Sequence, residues 1–368
     1  MAVPLARRAM LAGLAAIPLA GAALATRPAL ARGAGALKTA AAQGNRFFGS
    51  AARIDQIDRE PELRAAILRD CSYLTPETDL KWAALEPQRG ELNLRPADDL
   101  ANFALRNGLR LRGHTLLWYK SVPAWAADQL AVKPDWQLIE RYFASVMPRF
   151  GDAIDQWDVI NEPIETGHRM DGLRPDIFLQ AFGPDYIARA LRAARLFAPH
   201  GLLMINEFGL DYDIPIEQDR RYLLLRLLEK LKRSEVPLDG LGIQAHLDLT
   251  KGPFSEKVFE DFLRQVAALG LRIVVTELDV READLSAPLA RRDRAVADLT
   301  RRYLDVALAQ PAVIGVSCWG LSDGNSWLRA GHSSGEPLNR GLPYDEAFAT
   351  TPMYGAIRDA FLAAPPRI

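Results

Sequence analysis

The chain has 368 residues, 49% of them hydrophobic and 25% charged, which is enough to bury a large core and excludes a disordered chain. A formal net charge of -1 gives no general electrostatic reason to bind nucleic acid or to associate stably with an anionic membrane, so neutral partners are expected. With only two cysteines, Cys71 and Cys318, neither a disulfide framework nor a cysteine-based zinc site is signalled, and two buried thiols are the expectation.

Residues 1–31 open with Arg7 and Arg8, continue through an Ala/Leu/Gly-rich run from Ala9 to Ala25, and carry two A-x-A sites, Ala23-Leu24-Ala25 and Ala29-Leu30-Ala31. Basic, then apolar, then small is the layout of an export signal, here with the adjacent arginines of the twin-arginine type. The run is too short and too rich in alanine and glycine for a membrane span, which needs about 20 strongly apolar residues. A periplasmic or secreted protein is therefore expected. Residues 32–45 read as a loosely ordered lead-in, and residues 46–363 as one domain with no linker or repeat inside it.

Within that domain eight short apolar runs follow one another: RFFGSA (46–51), SYLTPE (72–77), RLRGHTLLW (110–118), IDQWDVIN (154–161), GLLMIN (201–206), GLGIQAH (240–246), RIVVTEL (272–278) and VIGVSCWG (313–320). Amphipathic stretches such as PDYIARALRAARLFA and DRRYLLLRLLEKLKRS lie between them, with apolar residues at helical spacing. Near-continuous apolar strands alternating with helices imply a parallel sheet covered by helices. Eight such units in about 320 residues fit an α/β fold of the (β/α)8 TIM-barrel class. The rival, an open doubly wound sheet, usually carries a glycine-rich phosphate turn after its first strand; GSAAR is not one.

In such a barrel the site lies at the carboxyl ends of the strands, so polar residues that end apolar runs are the candidates. They are Glu77 after the second strand, His114 and Trp118 on the third, Asn161 and Glu162 on the fourth, and Asn206 and Glu207 on the fifth. Gln244 and His246 end the sixth, Glu277 and Asp279 the seventh, and Trp319 the eighth. One terminal carboxylate is usually a cap or an ion-pair partner, but agreement over so many strands points to a site. Glu162 and Glu277, on strands four and seven, approach one substrate from two sides, as glycoside hydrolysis demands. Metal binding is the rival chemistry, yet the five histidines, His114, His168, His200, His246 and His332, form neither an H-x-H nor an HExxH pair, and no metal or cofactor is expected. Trp82, Trp118, Trp319 and Trp327 lie at or just beyond strand ends, where aromatic platforms among polar side chains suit a carbohydrate cleft.

WDVINE, VVTELD, RGHTLLW, GIQAH and CWGLSDGNSW, in this order over residues 46–360, resemble the blocks of glycoside hydrolase family 10, the retaining endo-β-1,4-xylanases. The resemblance implies that Glu162 is the general acid/base and Glu277 the nucleophile, with His246 and Asp279 orienting and charge-balancing it. Asn161 would bond the sugar 2-hydroxyl, and Gln244 would stand near both carboxylates. Glu77, Lys81, His114 and Trp118 would hold glycone sugars under a ceiling of Trp319 and Trp327. The implied partner is xylan or xylooligosaccharides, and the enzyme is expected to act as a monomer. Another β-glycanase of the same barrel clan, or a non-hydrolytic carbohydrate-binding barrel, are the alternatives.

Three places depart from the family pattern. Thr78 stands where the family has Asn, Ser121 where it has Gln, and Phe208-Gly209 replace the Tyr-Asn of the fifth-strand motif. The first two exchange amides for short hydroxyls, each lost hydrogen bond being worth about 0.5–1.5 kcal/mol. The third removes a hydroxyl and an amide from the leaving-group side. His332 and Arg340 follow the last strand and are left unassigned.

Overall fold

The computed structural model describes residues 35–329 and 337–367; the expected export signal and His332 lie outside them. Among the described residues nine strands alternate with helices: β1 (Phe47–Ala52), β2 (Tyr73–Pro76), β3 (Arg110–Gly113), β4 (Ile154–Asn161), β5 (Leu202–Glu207), β6 (Gly240–Ile243), β7 (His246–Asp248), β8 (Arg272–Arg281) and β9 (Val313–Cys318). Each pairs in parallel with its neighbours, β6 pairs with β8, and β9 returns to β1. The result is a closed eight-stranded parallel barrel, with β7 a short extra strand on the upper half of β8. Closure removes the edges of the eight-stranded sheet, and the intervening helices cover the outer face.

Two strands stop three or more residues before their apolar runs end. The expected strand Arg110–Trp118 leaves the ladder after Gly113, crosses the cis His114–Thr115 peptide, and rejoins β4 when Leu116 and Leu117 donate to the carbonyls of Asp158 and Val159. The expected strand Gly240–His246 is broken at Ala245, which takes a left-handed φ of 59° and separates β6 from β7. A residue with a Cβ adopts that region only where its surroundings hold it. Here the carbonyl of Gln244 accepts from Glu277 and that of Ala245 from Asp279.

The lead-in is ordered where it is described. Leu37–Gln43 is a helix that buries Leu37, Ala40 and Ala41, and it packs against the helix Pro352–Ala363. Seven residues are too few to show helical periodicity convincingly, which is why LKTAAAQ passes for a linker in the sequence. Arg46 then ties this corner together by donating to the carbonyls of Val313, Leu308, Gly44 and Pro365. Cys71 and Cys318 are both free and buried.

Inside the barrel an apolar plug forms at the strand starts, where Phe47, Met204 and Val274 pack with Tyr73, Leu202 and Ile314. Polar groups lie nearer the strand ends. Arg112, fully buried, donates to Asp158 at 2.7 Å and to Gln156 at 3.4 Å, while the other Asp158 oxygen meets Nδ1 of His114 at 2.9 Å. Beside this network the absence of a side chain at Gly113 admits the Trp157 indole, since an added Cβ would lie 2.2 Å from its ring. Gly113→Ala is therefore expected to destabilise the protein by about 1–3 kcal/mol through overpacking. Urea unfolding checks this, and an unchanged midpoint would show that the barrel wall yields at this point.

Candidate active site

The strand ends open onto a cleft of about 420 Å³. Of the expected site residues, Glu77, Lys81, His114, Trp118, Asn161, Glu162, Gln244, His246, Glu277, Trp319 and Trp327 all line it. Asp279 stands one layer behind, 99% buried, with one oxygen on Nδ1 of His246 at 2.9 Å and the other accepting the indole N–H of Trp327 at 2.5 Å.

Glu277 is the most firmly held group. Its Oε1 accepts from Nδ2 of Asn206 at 2.7 Å, and its Oε2 lies 3.2 Å from Nε2 of His246. Burial works against a charged Glu277, but the bond to His246, the nearby His114 ring, the His246 charge and the Asn206 donor outweigh it and hold the carboxyl at about 2. Burial likewise works against a charged His246, yet Asp279 and Glu277 push the imidazole up to about 10. Near neutral pH the cleft thus contains a Glu277 carboxylate against a His246 cation, itself balanced by Asp279.

Glu162 is held differently. The chain turns sharply after β4, with Glu162 at a φ of 56°. Its N–H donates to the Asn206 carbonyl at 2.8 Å, and its own carbonyl accepts from Nε of Arg174 at 2.8 Å. This left-handed step carries local strain, and the two bonds fix it from either side. Oε1 receives only long bonds of 3.4 Å from Asn161 and from Gln244. Oε2 is buried with no hydrogen-bond partner, and its nearest cation is the Lys120 ammonium at 3.6 Å.

Asn206 joins the two carboxylates. One amide hydrogen serves Glu277 and the other the Asn161 side-chain oxygen at 2.8 Å, while its own oxygen accepts from the Thr276 hydroxyl at 2.7 Å. An amide with all these bonds made cannot flip without losing them. It stands at the end of the fifth strand, where the strand-end rule places it among the candidates.

The same strand-end rule misleads at Glu207. That carboxylate is fully buried and faces away from the cleft, accepting the N–H groups of Ile164 and Phe208. Burial pushes it up to about 8 despite those donors. Trp82 is also a correction: it is 1% exposed, stacked on Tyr142 at 4.5 Å and edge-on to Trp125, with its N–H on Glu86, so it packs beneath the loop. Its position after a strand end could not distinguish a platform from a plug.

The other aromatics do border the cleft. Lys81 reaches over Trp118 at 4.7 Å and Trp319 at 5.6 Å; burial lowers it, opposed by Glu277, Glu77 and Glu162. Burial also raises Glu77. The Trp118 indole N–H is buried with no partner. Trp319 is edge-on to His114 at 5.2 Å, and Trp327, 42% exposed, lies 5.1 Å from His246. Sequence reasoning left out Lys120 and Lys251, and placed Phe208 and Gly209 only as departures, yet all four line the cleft. A lysine in a loop carries no periodic signal. Arg340, left unassigned, pairs with Asp293 at 2.7 Å and is not among the lining residues.

The Glu277–His246 pair makes stability depend on pH in a definite direction. Glu277 is held below its ordinary 4.5, so its contribution is present above about 4.5 and is lost as pH falls toward 2. His246 is raised above its ordinary 6.5, so its contribution is full below about 6.5 and is lost as pH rises through 10. In denaturant unfolding, the advantage of wild type over Glu277→Gln should shrink between about pH 4.5 and 2, and that over His246→Gln between about pH 6.5 and 10. A pH-independent difference in either series would show that the pair is not charged as described.

Comparison with known proteins agrees with this geometry. The model of Glycosyl hydrolase family 10 matches residues 36–360. Endo-1,4-beta-xylanase A of Phanerodontia chrysosporium is 31% identical over 329 residues, covering 88% of this chain and 76% of that protein. Endo-1,4-beta-xylanase B of Thermotoga neapolitana is 31% identical over 292 residues, covering 79% and 81%. Among solved structures, native xylanase 10B from Thermotoga maritima superposes with a TM-score of 0.78 at 27% identity, covering 89% of this chain and 98% of that one. Xylanase 10B from Thermotoga petrophila RKU-1, solved in complex with xylobiose, gives the same TM-score and identity over 89% and 97%. The closed parallel barrel, the strand-end carboxylates and the match over residues 36–360 lead to one assignment: the chain belongs to glycosyl hydrolase family 10.

Proposed function

We propose that the protein is a retaining endo-1,4-β-xylanase that cleaves internal bonds of xylan, with Glu277 as nucleophile and Glu162 as acid/base. The observation that carries the reading is the contrast between the two carboxylates. Glu277 is ionised and held by Asn206 and His246, whereas Glu162 faces the same cleft with one oxygen free of hydrogen bonds. The named relatives and the xylobiose complex support xylan as the substrate class.

In the first step a Glu277 oxygen attacks the anomeric carbon as the bond to the leaving oxygen breaks, and Glu162 gives its proton to that oxygen. The products are a glycosyl ester on Glu277 and a shortened chain. In the second step Glu162, now a carboxylate, takes a proton from water as the water oxygen attacks the same carbon and Glu277 departs. Two inversions give net retention. Asn161, anchored by Asn206 at 2.8 Å, is placed to bond the 2-hydroxyl, a contact that strengthens as charge develops. His246 and Asp279 keep the nucleophile charged and fixed, while Lys81, Trp118, Trp319 and Trp327 bound the sugar-binding surface.

Export is part of the proposal and rests on the residue pattern of 1–31. Among the described residues no helix is long and apolar enough to cross a membrane.

Two experiments test this reading. Glu277→Ala should abolish release of phenol from an aryl β-xylobioside. Glu162→Ala should lose about 10²–10⁴-fold on unactivated xylooligosaccharides but much less in the first step with an aryl group that leaves unprotonated. Equal losses on both substrates would remove Glu162 from the proton-donor role.

Sugar preference is tested separately. Thr78 spends its hydroxyl on Asp79 at 3.0 Å, Ser121 closes the short turn Tyr119–Ser121, and neither lines the cleft. A weakened glycone subsite follows, so the double substitution Thr78→Asn, Ser121→Gln should lower KM for plain xylooligosaccharides several-fold, by about 0.5–1.5 kcal/mol per restored bond. Kinetics on plain and decorated xylan and on mixed-linkage glucan decide the matter. No gain and no change of preference would exclude these positions as the cause, and a wild-type preference for the glucan would favour the alternative β-glycanase reading.

A further inference from the structure

Lys120 is placed where a polymer of neutral sugars does not require a cation. It lies in the turn after Trp118, lines the cleft, and keeps 54% of its side chain exposed. Its ammonium sits 3.6 Å from Oε2 of Glu162, 5.5 Å from the Trp118 ring and 5.3 Å from the Tyr119 ring. Glu162 is the one anionic partner of Lys120 among the described residues. On the proposed mechanism Glu162 begins the reaction protonated, so Lys120 then has no counter-charge.

Across the Glu162 strand a second cation is also poorly compensated. Arg220, 7% exposed, leaves Nε without a partner, makes a long 3.4 Å bond to the Gly209 carbonyl and lies 4.4 Å over the Phe208 ring. The hydrogen bonds of the acids near it go to other groups. Glu207 feels the Arg220 charge, yet burial still raises it to about 8 and it accepts two backbone N–H groups, while Glu217 is taken up by Lys251 and the N–H groups of Asp211 and Tyr212. Gly209, at a φ of 62°, has no Cβ to collide with the Arg220 guanidinium. A buried charge without a partner is costly, and an incoming anion relieves that cost. The wall that carries the proton donor is therefore short of negative charge on both sides.

We propose that this wall binds the carboxylate of an acidic sugar unit next to the bond being cleaved, with the Lys120 ammonium as its direct contact; the proposal rests on the glycan-hydrolase reading of the same cleft. The chemistry is already present in the structure, because Lys120 stands against a carboxylate that the first step needs in neutral form. A ligand carboxylate takes over that place when Glu162 is protonated, and Arg220 behind Phe208 and Gly209 adds to the favourable field without touching the ligand.

The test compares kcat/KM for an unsubstituted xylooligosaccharide and for the same oligosaccharide bearing a uronic acid side group. Wild type, Lys120→Met and Lys120→Arg are measured at low and high salt. The acidic-to-neutral ratio should fall about tenfold in Lys120→Met, mainly through KM, as expected for loss of one charge-assisted bond. It should recover in Lys120→Arg, and in wild type it should shrink at high salt. A ratio unchanged in Lys120→Met overturns the proposal, including the case in which both substrates slow equally because Lys120 serves only Glu162. Failure of wild type to cleave either oligosaccharide would instead overturn the underlying xylanase reading.

Discussion

The arrangement depends on keeping one carboxylate ionised inside a barrel. Glu277 stands at the end of a buried strand, where its charge has lost most of its water, and an unpaired carboxylate there would take up a proton instead. Two donors prevent that, His246 at 3.2 Å and Asn206 at 2.7 Å. Each needs its own support. A His246 cation is only tolerable against Asp279, and Asp279 in turn takes the Trp327 indole N–H on its second oxygen. Requirements thus spread outward from one charge to the loop after the last strand, which is why a residue as exposed as Trp327 has a fixed orientation.

Strand closure supplies the geometry that this chain of requirements needs. Asn206 on β5, His246 on β7 and Glu277 on β8 come from separate strands, and the parallel pairing of β5 with β6, β6 with β8 and β7 with β8 presents their ends to a common space. The break at Ala245 belongs to the same constraint. By leaving the β6 ladder there, the chain lets β7 pair with the upper part of β8 and brings His246 into register with Asp279. An unbroken sixth strand would leave the pairing partner of Asp279 undefined.

Periodicity made much of this legible. The eight apolar runs all became barrel strands, and eleven of the positions read from strand ends and family motifs border one cleft, because the alternation of buried strands and amphipathic helices is a strong physical signal. Orientation was not legible. Asn206 and Glu207 are adjacent strand-end residues of equal promise in the sequence, yet one joins the two carboxylates and the other points under the loop to cap Ile164 and Phe208. Trp82 failed for the same reason, since a tryptophan after a strand fits either a cleft or the space below it. The lead-in helix Leu37–Gln43 went unseen because its stability comes from the helix Pro352–Ala363, more than 300 positions away, and not from its own sequence.

A division of labour follows from where the chain leaves its family's pattern. Glu162, Glu277, Asn161, Asn206 and His246 lie at or within one residue of a strand, where a shift in one would disturb bonds to the others. Thr78, Ser121, Phe208 and Gly209 lie in the connections after β2, β3 and β5, and bond mostly to near neighbours or face open space. Changing a loop residue therefore alters the lining of the cleft without disturbing the charges of Glu277, His246 and Asp279. Gly209 shows how far such a change reaches. Removing a side chain from the wall frees the position that the Arg220 guanidinium occupies, so a substitution that deletes an amide also changes the electrostatic character of the surface beside Glu162.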